Sequence, residues 1–136
     1  MSVKILEVKK ESFPAARFIG KKYTQGPNWG EWWQNDWFSV LEKNERLSVN
    51  GDAYIGAVHI VDGMPEYWIG MFFPVNTEVP EGFDFVDIAS LDYAVCYLQD
   101  KEGSGDFYTM ETDNLCLAKL KSLGFKRKED DWCFER

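Results

Sequence analysis

Segments typical of β-strands and α-helices follow one another in the same order twice along this chain. The first half reads strand, helix, strand, strand, at residues 15–24, 29–43, 53–61 and 67–73. The second half repeats this order, at residues 83–88 with 93–99, 112–123, 125–128 and 132–136. This order predicts an α+β fold of two tandem βαββ units, which form antiparallel sheet with two helices and a ligand cleft between the halves.

Length and charge limit what such a fold can bind. The chain has 136 residues, 45% of them hydrophobic, which predicts a single domain over residues 1–136 with a sizeable core. Its formal net charge is −8, from 15 Lys and Arg against 23 Asp and Glu. Nucleic-acid binding needs a basic face, so we expect no direct nucleic-acid partner. An acidic chain favours a cationic or neutral small molecule.

The apolar segments are too short for a membrane protein. None approaches the roughly 18 apolar residues of a membrane-spanning helix, and the first residues lack the apolar core of a signal peptide. The three isolated cysteines have no disulfide spacing, which favours a reducing compartment. We therefore expect a cytoplasmic protein with no membrane partner, present as a monomer or weak dimer.

Residues 29–38 carry five large aromatic side chains. Trp29, Trp33 and Trp37 fall at i, i+4 and i+8 of the predicted helix, so they form one stripe that continues to Leu41. Such a stripe is either a core-packing face or the wall of a ligand site, because indoles stack on planar ligands and hold cations. Trp32 lies off the stripe and is expected to be structural or exposed.

The sequence does not match the common motifs of metal sites and catalytic sites. His59 is the single histidine and lies inside a predicted strand, so no zinc set exists, and no glycine-rich phosphate loop is present. We expect no metal and no cofactor. Glu135 is the exception, because it lies in the apolar strand Trp132-Cys133-Phe134-Glu135. Its carboxylate either reaches solvent or faces a cleft, where it would anchor a cation or act as a general acid or base.

Several motifs resemble one known family. They are Tyr67-Trp68-Ile69-Gly70-Met71-Phe72-Phe73, Val79-Pro80-Glu81-Gly82-Phe83, Leu91-Asp92-Tyr93-Ala94-Val95 and Phe134-Glu135-Arg136. In this order they resemble the GyrI-like family, the effector-binding domains also found in AraC-type and MerR-type multidrug-sensing regulators. The resemblance implies tandem pseudo-symmetric βαββ units with a central ligand groove, which is aromatic and in which the glutamate matching Glu135 meets lipophilic cations. The aromatic that follows this glutamate in the family is missing here, and no DNA-binding segment is attached, so we expect a stand-alone member.

The resemblance and the strand pattern together predict the ligand-binding residues. These are Glu135, Trp33, Trp37, Tyr54, Trp68, Phe72 and Tyr93. Strand alternation places Trp68, Gly70 and Phe72 on one face, with Tyr67, Ile69 and Met71 on the other. We choose the first face because Gly70 would leave room for a ligand.

Three functions are compatible with this set. The first is a protein that binds hydrophobic, planar, cationic compounds in the groove, with Glu135 as counter-charge. The second, implied by the resemblance, is a hydrolase of strained-ring aromatic toxins, in which Glu135 acts as general base and Tyr93 or Tyr54 as proton donor. The third is a protein-interaction module that docks a partner through its tryptophans, including Trp33.

Overall fold

The computed structural model describes residues 3–47, 50–100, 110–125 and 132–135. Within these residues the strands are β1 (Lys4–Phe13), β2 (Ala16–Tyr23), β3 (Ile55–Val61), β4 (Met64–Phe73), β5 (Asp84–Ile88), β6 (Leu91–Gln99) and β7 (Trp132–Glu135). The helices are α1 (Trp29–Asn35), α2 (Trp37–Leu41) and α3 (Met110–Ser122). The prediction of an α+β fold with antiparallel sheet is confirmed. No described helix is long and apolar enough to cross a membrane.

The chain forms two compact units. One consists of Met1–Phe13 with Asp92–Arg127, and the other of Pro14–Leu91 with Lys128–Arg136. The larger unit contains a five-stranded sheet in the order β5-β2-β4-β3-β7, in which every neighbouring pair is antiparallel. The smaller unit contains β1 paired with β6.

The hairpin of β3 and β4 is the best-specified part of the larger unit. Its two-residue turn is Asp62-Gly63, whose φ angles are 50° and 79°. Positive φ at both central residues is the geometry that matches the twist of paired strands, and Asp-Gly is one of the sequences that adopts it most readily. The predicted hairpin is therefore confirmed, with β4 beginning at Met64 rather than Tyr67.

The predicted helix over residues 29–43 is wrong, because the chain forms two short helices there. Asp36 adopts left-handed backbone angles, φ 53° and ψ 40°, and its N–H closes the end of α1 on the carbonyls of Trp32 and Trp33. Aspartate tolerates this conformation better than most residues. The break places Trp37 on a separate helix from Trp29 and Trp33, so the continuous stripe does not form.

Each face of the five-stranded sheet carries its own apolar cluster. The face that packs against the helices, the helix-side face, holds Ile19, Trp32, Phe38, Leu41, Ile69, Met71 and Phe73. The opposite face, the second face, holds Phe18, Ile55, Ala57 and Trp68, with Phe72, Trp132 and Phe134 against them. Trp32 is fully buried, which confirms its expected structural role. The predicted alternation of β4 is also confirmed.

In the smaller unit, β1 and β6 run antiparallel. The rings of Phe13 and Tyr93 lie 5.3 Å apart, and the hydroxyl of Tyr97, later in β6, donates to Glu11, which lies earlier in β1 than Phe13. The sequence analysis missed β1, because five of its ten residues are charged and its apolar positions do not alternate strictly.

The tandem arrangement of two βαββ units stays a prediction. The strands of the second half are divided between the sheets, since β5 pairs with β2 whereas β6 pairs with β1. The predicted terminal hairpin of residues 125–128 with 132–136 also stays a prediction, because residues 126–131 lie outside the described residues. The described part of it, β7, pairs with β3 of the first half.

Two glycines set the spacing of the central strands. Gly20 and Gly70 are direct partners across β2 and β4. A Cβ added to Gly20 would lie 1.9 Å from the carbonyl oxygen of Ile69, and one added to Gly70 would lie 2.2 Å from that of Ile19. The two backbones can approach this closely because neither residue has a side chain.

We predict that Gly20→Ala lowers the free energy of unfolding by about 3 kcal/mol, because a backbone carbonyl cannot yield to the added methyl as a flexible side chain would. Urea denaturation followed by tryptophan fluorescence measures the change. Gly30→Ala is the matched control, since the nearest atom to its added Cβ is 3.6 Å away and alanine favours the helix. An equal loss in both variants would contradict the close-approach explanation.

Candidate functional site

Glu135 lies on the helix-side face, at the edge of the sheet. In the pairing of β7 with β3, its direct partner is Gly56. A Cβ added to Gly56 would lie 3.1 Å from Trp29 Cζ2 and 3.2 Å from Glu135 Oε1. The indole and the carboxylate therefore lie side by side over a position that has no side chain. Glu135 is solvent-exposed, whereas Trp29 is half-buried.

An aromatic cluster continues from Trp29 along this face. The rings of Phe38 and Tyr54 are stacked, with centroids 3.9 Å apart and planes 10° apart. Trp33 lies 5.1 Å from Phe38 and 5.6 Å from Tyr54, and Phe38 lies 6.2 Å from Trp29. α1, α2 and the residue before β3 thus supply one aromatic cluster, in which the linking ring, Phe38, is buried. We call Trp29, Trp33, Phe38, Tyr54, Gly56 and Glu135 the helix-side site.

Trp33 is the most accessible ring of the site, with 59% of its surface exposed. It also borders a surface cavity of about 590 Å³. Glu31 lines the same cavity, whereas Glu135 does not. Trp33 is held in place by α1 and by contact with the rings of Phe38 and Tyr54. A planar molecule can therefore reach this indole from solvent.

A second carboxylate belongs to this surface. The Tyr54 hydroxyl donates a hydrogen bond to Glu42. This bond, followed by burial, raises the pKa of Tyr54, because both effects disfavour the phenolate. Tyr54 is thereby held as a neutral phenol, and the Glu42 charge is fixed beside the stacked rings.

The Trp37 ring already contacts a cation of the chain itself, the side-chain ammonium of Lys21. The Lys21 ammonium lies 4.4 Å from the Trp37 ring centroid and 4.6 Å from that of Phe83, and it donates to the Gly82 carbonyl. This arrangement is a cation–π contact of the usual geometry. It connects β2, α2 and the loop before β5, and it gives Trp37 a structural role.

Trp68 and Phe72 lie on the second face of the sheet, away from Glu135. Phe18 packs against both, with ring centroids 6.0 Å from Trp68 and 5.1 Å from Phe72. Trp68 is only 4% exposed. The expectation that Gly70 leaves room for a ligand is not met, because the backbone of β2 fills the space beside Gly70.

Tyr93 belongs to the smaller unit, where its ring packs against Phe13. Burial raises its pKa, because the phenolate would lose its hydration. Among the predicted residues of the larger unit, the structure therefore brings Glu135, Trp33 and Tyr54 to one face. Trp37 instead contacts the Lys21 ammonium, and Trp68 and Phe72 lie on the other face.

The sequence analysis missed Trp29 and Gly56 as site residues. Trp29 carried a signal, since it begins the i, i+4 series, but a helix N-terminus gave no reason to place it near the last strand. Gly56 carried the weaker signal of a lone glycine within a strand, which indicates close approach of another group. Comparison of the chain with known protein families and with curated proteins found no match.

We predict that Tyr54 ionises above the ordinary tyrosine pKa of about 10. Because its pKa is raised on folding, its hydrogen bond contributes stability below that pH and the contribution is lost as the pH rises through the folded value. Glu42→Ala should lower the Tyr54 pKa towards 10. The ring ¹³Cζ shifts of labelled tyrosine measure it, with Glu45→Ala as control. An unchanged Tyr54 titration in Glu42→Ala would contradict the assignment.

Proposed function

We propose that the chain binds hydrophobic, planar, cationic small molecules at the helix-side site. One observation carries this proposal: an exposed carboxylate, Glu135, lies beside the Trp29 indole over the bare backbone of Gly56. A cation placed there meets a carboxylate and an aromatic ring together. The resemblance to GyrI-like effector-binding domains supports the same role for Glu135.

The magnitudes are sufficient for useful affinity. A cation contributes about 0.5–2 kcal/mol on each ring face that it contacts. Its attraction to a carboxylate near a protein surface contributes about 1–4 kcal/mol. Micromolar binding needs about 8 kcal/mol, so two rings, one carboxylate and the burial of an apolar ligand surface reach that range. The net charge of −8 adds long-range attraction for cations.

Stacking and charge pairing are loose recognition devices. They read the area and charge of a ligand rather than the order of its functional groups, so one site accepts many compounds. The exposed Trp33 fits this mode, because a ring that is open to solvent accommodates ligands of different outlines. The proposed ligand is therefore a class, lipophilic aromatic cations, rather than one metabolite.

The hydrolase and protein-interaction alternatives stay predictions. For hydrolysis, a tyrosine should serve Glu135 as proton donor, but Tyr54 donates to Glu42 and Tyr93 belongs to the other unit. Incubation with a strained-ring aromatic electrophile would reveal turnover as its time-dependent loss. For interaction, a partner would have to compete with a small cation for Trp33.

We predict that N-methylphenanthridinium quenches tryptophan fluorescence on binding, whereas phenanthridine, its neutral analogue of nearly the same shape, binds at least tenfold more weakly. Glu135→Gln should weaken the cation about tenfold, which corresponds to the loss of about 1.4 kcal/mol of charge attraction, and leave phenanthridine unchanged. Glu81→Gln is the control, because it removes an equal charge from an exposed loop. Equal cation affinities in the parent and Glu135→Gln would refute the role of the carboxylate.

The two predicted helix tryptophans should behave differently. Trp33→Leu removes an exposed ring of the site and should weaken N-methylphenanthridinium severalfold without loss of stability. Trp37→Leu removes the ring that Lys21 contacts, so it should lower the free energy of unfolding by about 1–3 kcal/mol and leave the affinity unchanged. Titration and urea denaturation of both variants separate these outcomes. Weaker cation binding in Trp37→Leu alone would place the ligand instead at the Trp37 and Phe83 rings that Lys21 contacts.

A further inference from the structure

A second cavity lies on the other side of the five-stranded sheet from Glu135. Its volume is about 450 Å³, within the range of small-molecule sites. Most of its lining comes from the second face, and Phe83 and Phe85 close it at the β5 edge. All residues that line this cavity belong to the larger unit. We call this cavity the second-face pocket.

Opposite Phe83 and Phe85, two tryptophans and a histidine of the second face line this pocket. His59 and Trp132 are stacked, with centroids 4.1 Å apart and planes 12° apart. Trp68 lies 6.0 Å from Trp132 with its plane tilted by 58°. The two indoles thus meet at an angle, and because Trp68 is buried, the half-buried His59 and Trp132 supply the accessible ring surface of the pocket. Planar surfaces stack well on such rings.

The polar groups of the pocket are mainly acceptors. Glu66 accepts the Trp68 indole N–H at 2.8 Å through Oε1, and Asp84 accepts the Lys22 backbone N–H at 3.0 Å through Oδ2. Each hydrogen bond uses one oxygen of its carboxylate and thereby fixes the direction of the second oxygen of the same carboxylate. Within the part of the chain that the structure describes, neither carboxylate forms an ion pair. With Lys22 as the one ammonium among the lining residues, the two acids leave the pocket negative.

We propose that the second-face pocket is a separate binding site for planar aromatic cations that carry N–H donors, such as amino-substituted heteroaromatic rings. The ring stacks against the half-buried rings of His59 and Trp132, beside Trp68, which its hydrogen bond to Glu66 holds in place. The N–H groups donate to the remaining oxygens of Glu66 and Asp84. The requirement for donors distinguishes this site from the helix-side site, where a cation without N–H groups suffices. The inference does not depend on the proposed function.

Proflavine and N-methylphenanthridinium test the inference, because both are planar cations and only proflavine has amino donors. Isothermal titration of the full chain should give two proflavine sites and one N-methylphenanthridinium site. The double variant Glu66→Gln, Asp84→Asn keeps an acceptor for each internal hydrogen bond and should therefore fold. It should lose one proflavine site, or weaken that site at least tenfold, and retain N-methylphenanthridinium binding.

A second readout locates the site. Proflavine should shift the indole N–H signal of Trp68, assigned with Trp68→Phe, in the parent protein but not in the double variant. Two unchanged proflavine sites in the double variant would overturn the inference. A single proflavine site that Glu135→Gln removes would also overturn it, while supporting the proposed function. If the double variant loses or weakens one proflavine site and Glu135→Gln leaves the affinity of every proflavine site unchanged, the inference stands and the proposed function fails.

Discussion

The register between β3 and β7 decides where the only carboxylate of the last strand points. With Gly56 opposite Glu135, the carboxylate joins Trp29 on the helix-side face. A slip of one residue would turn Glu135 to the second face and bring Phe134 towards the helices. Because β7 is a short edge strand, the apolar packing of Trp132 and Phe134 on the second face holds this register. The position of the charge therefore depends on the packing of its neighbours.

The aromatic residues divide into those that the fold uses and those that it leaves accessible. Trp32 fills the core, Trp37 holds the Lys21 ammonium, and Trp68 is bound through its indole N–H to Glu66. Trp33 and the edge of Trp29 remain near solvent on the side of Glu135. The contact of Lys21 with Trp37 shows, within the chain itself, that these rings bind an ammonium group. The proposed site would use the same cation–π contact to bind a ligand.

Local signals predicted local structure well. The Asp62-Gly63 turn predicted its hairpin, and the alternation of β4 predicted that Trp68 and Phe72 share a face, although not that this face lies away from Glu135. Long-range pairing was not predictable, since nothing in β7 indicates that it pairs with a strand more than seventy residues earlier. The helix break was missed because a single left-handed residue, Asp36, has no strong sequence signal. The site was accordingly predicted in part: Glu135, Trp33 and Tyr54 came together, whereas Gly56 became visible only through the register.

The central claim is that a cation binds between Glu135 and the aromatic rings of the helix-side face. Intermolecular nuclear Overhauser effects from the N-methyl protons of bound N-methylphenanthridinium measure this directly. The account predicts contacts to the Glu135 γ protons and to ring protons of Trp29, together with contacts from the fused rings to Trp33. Contacts confined to Trp68 and Trp132, or to Tyr93, would contradict it.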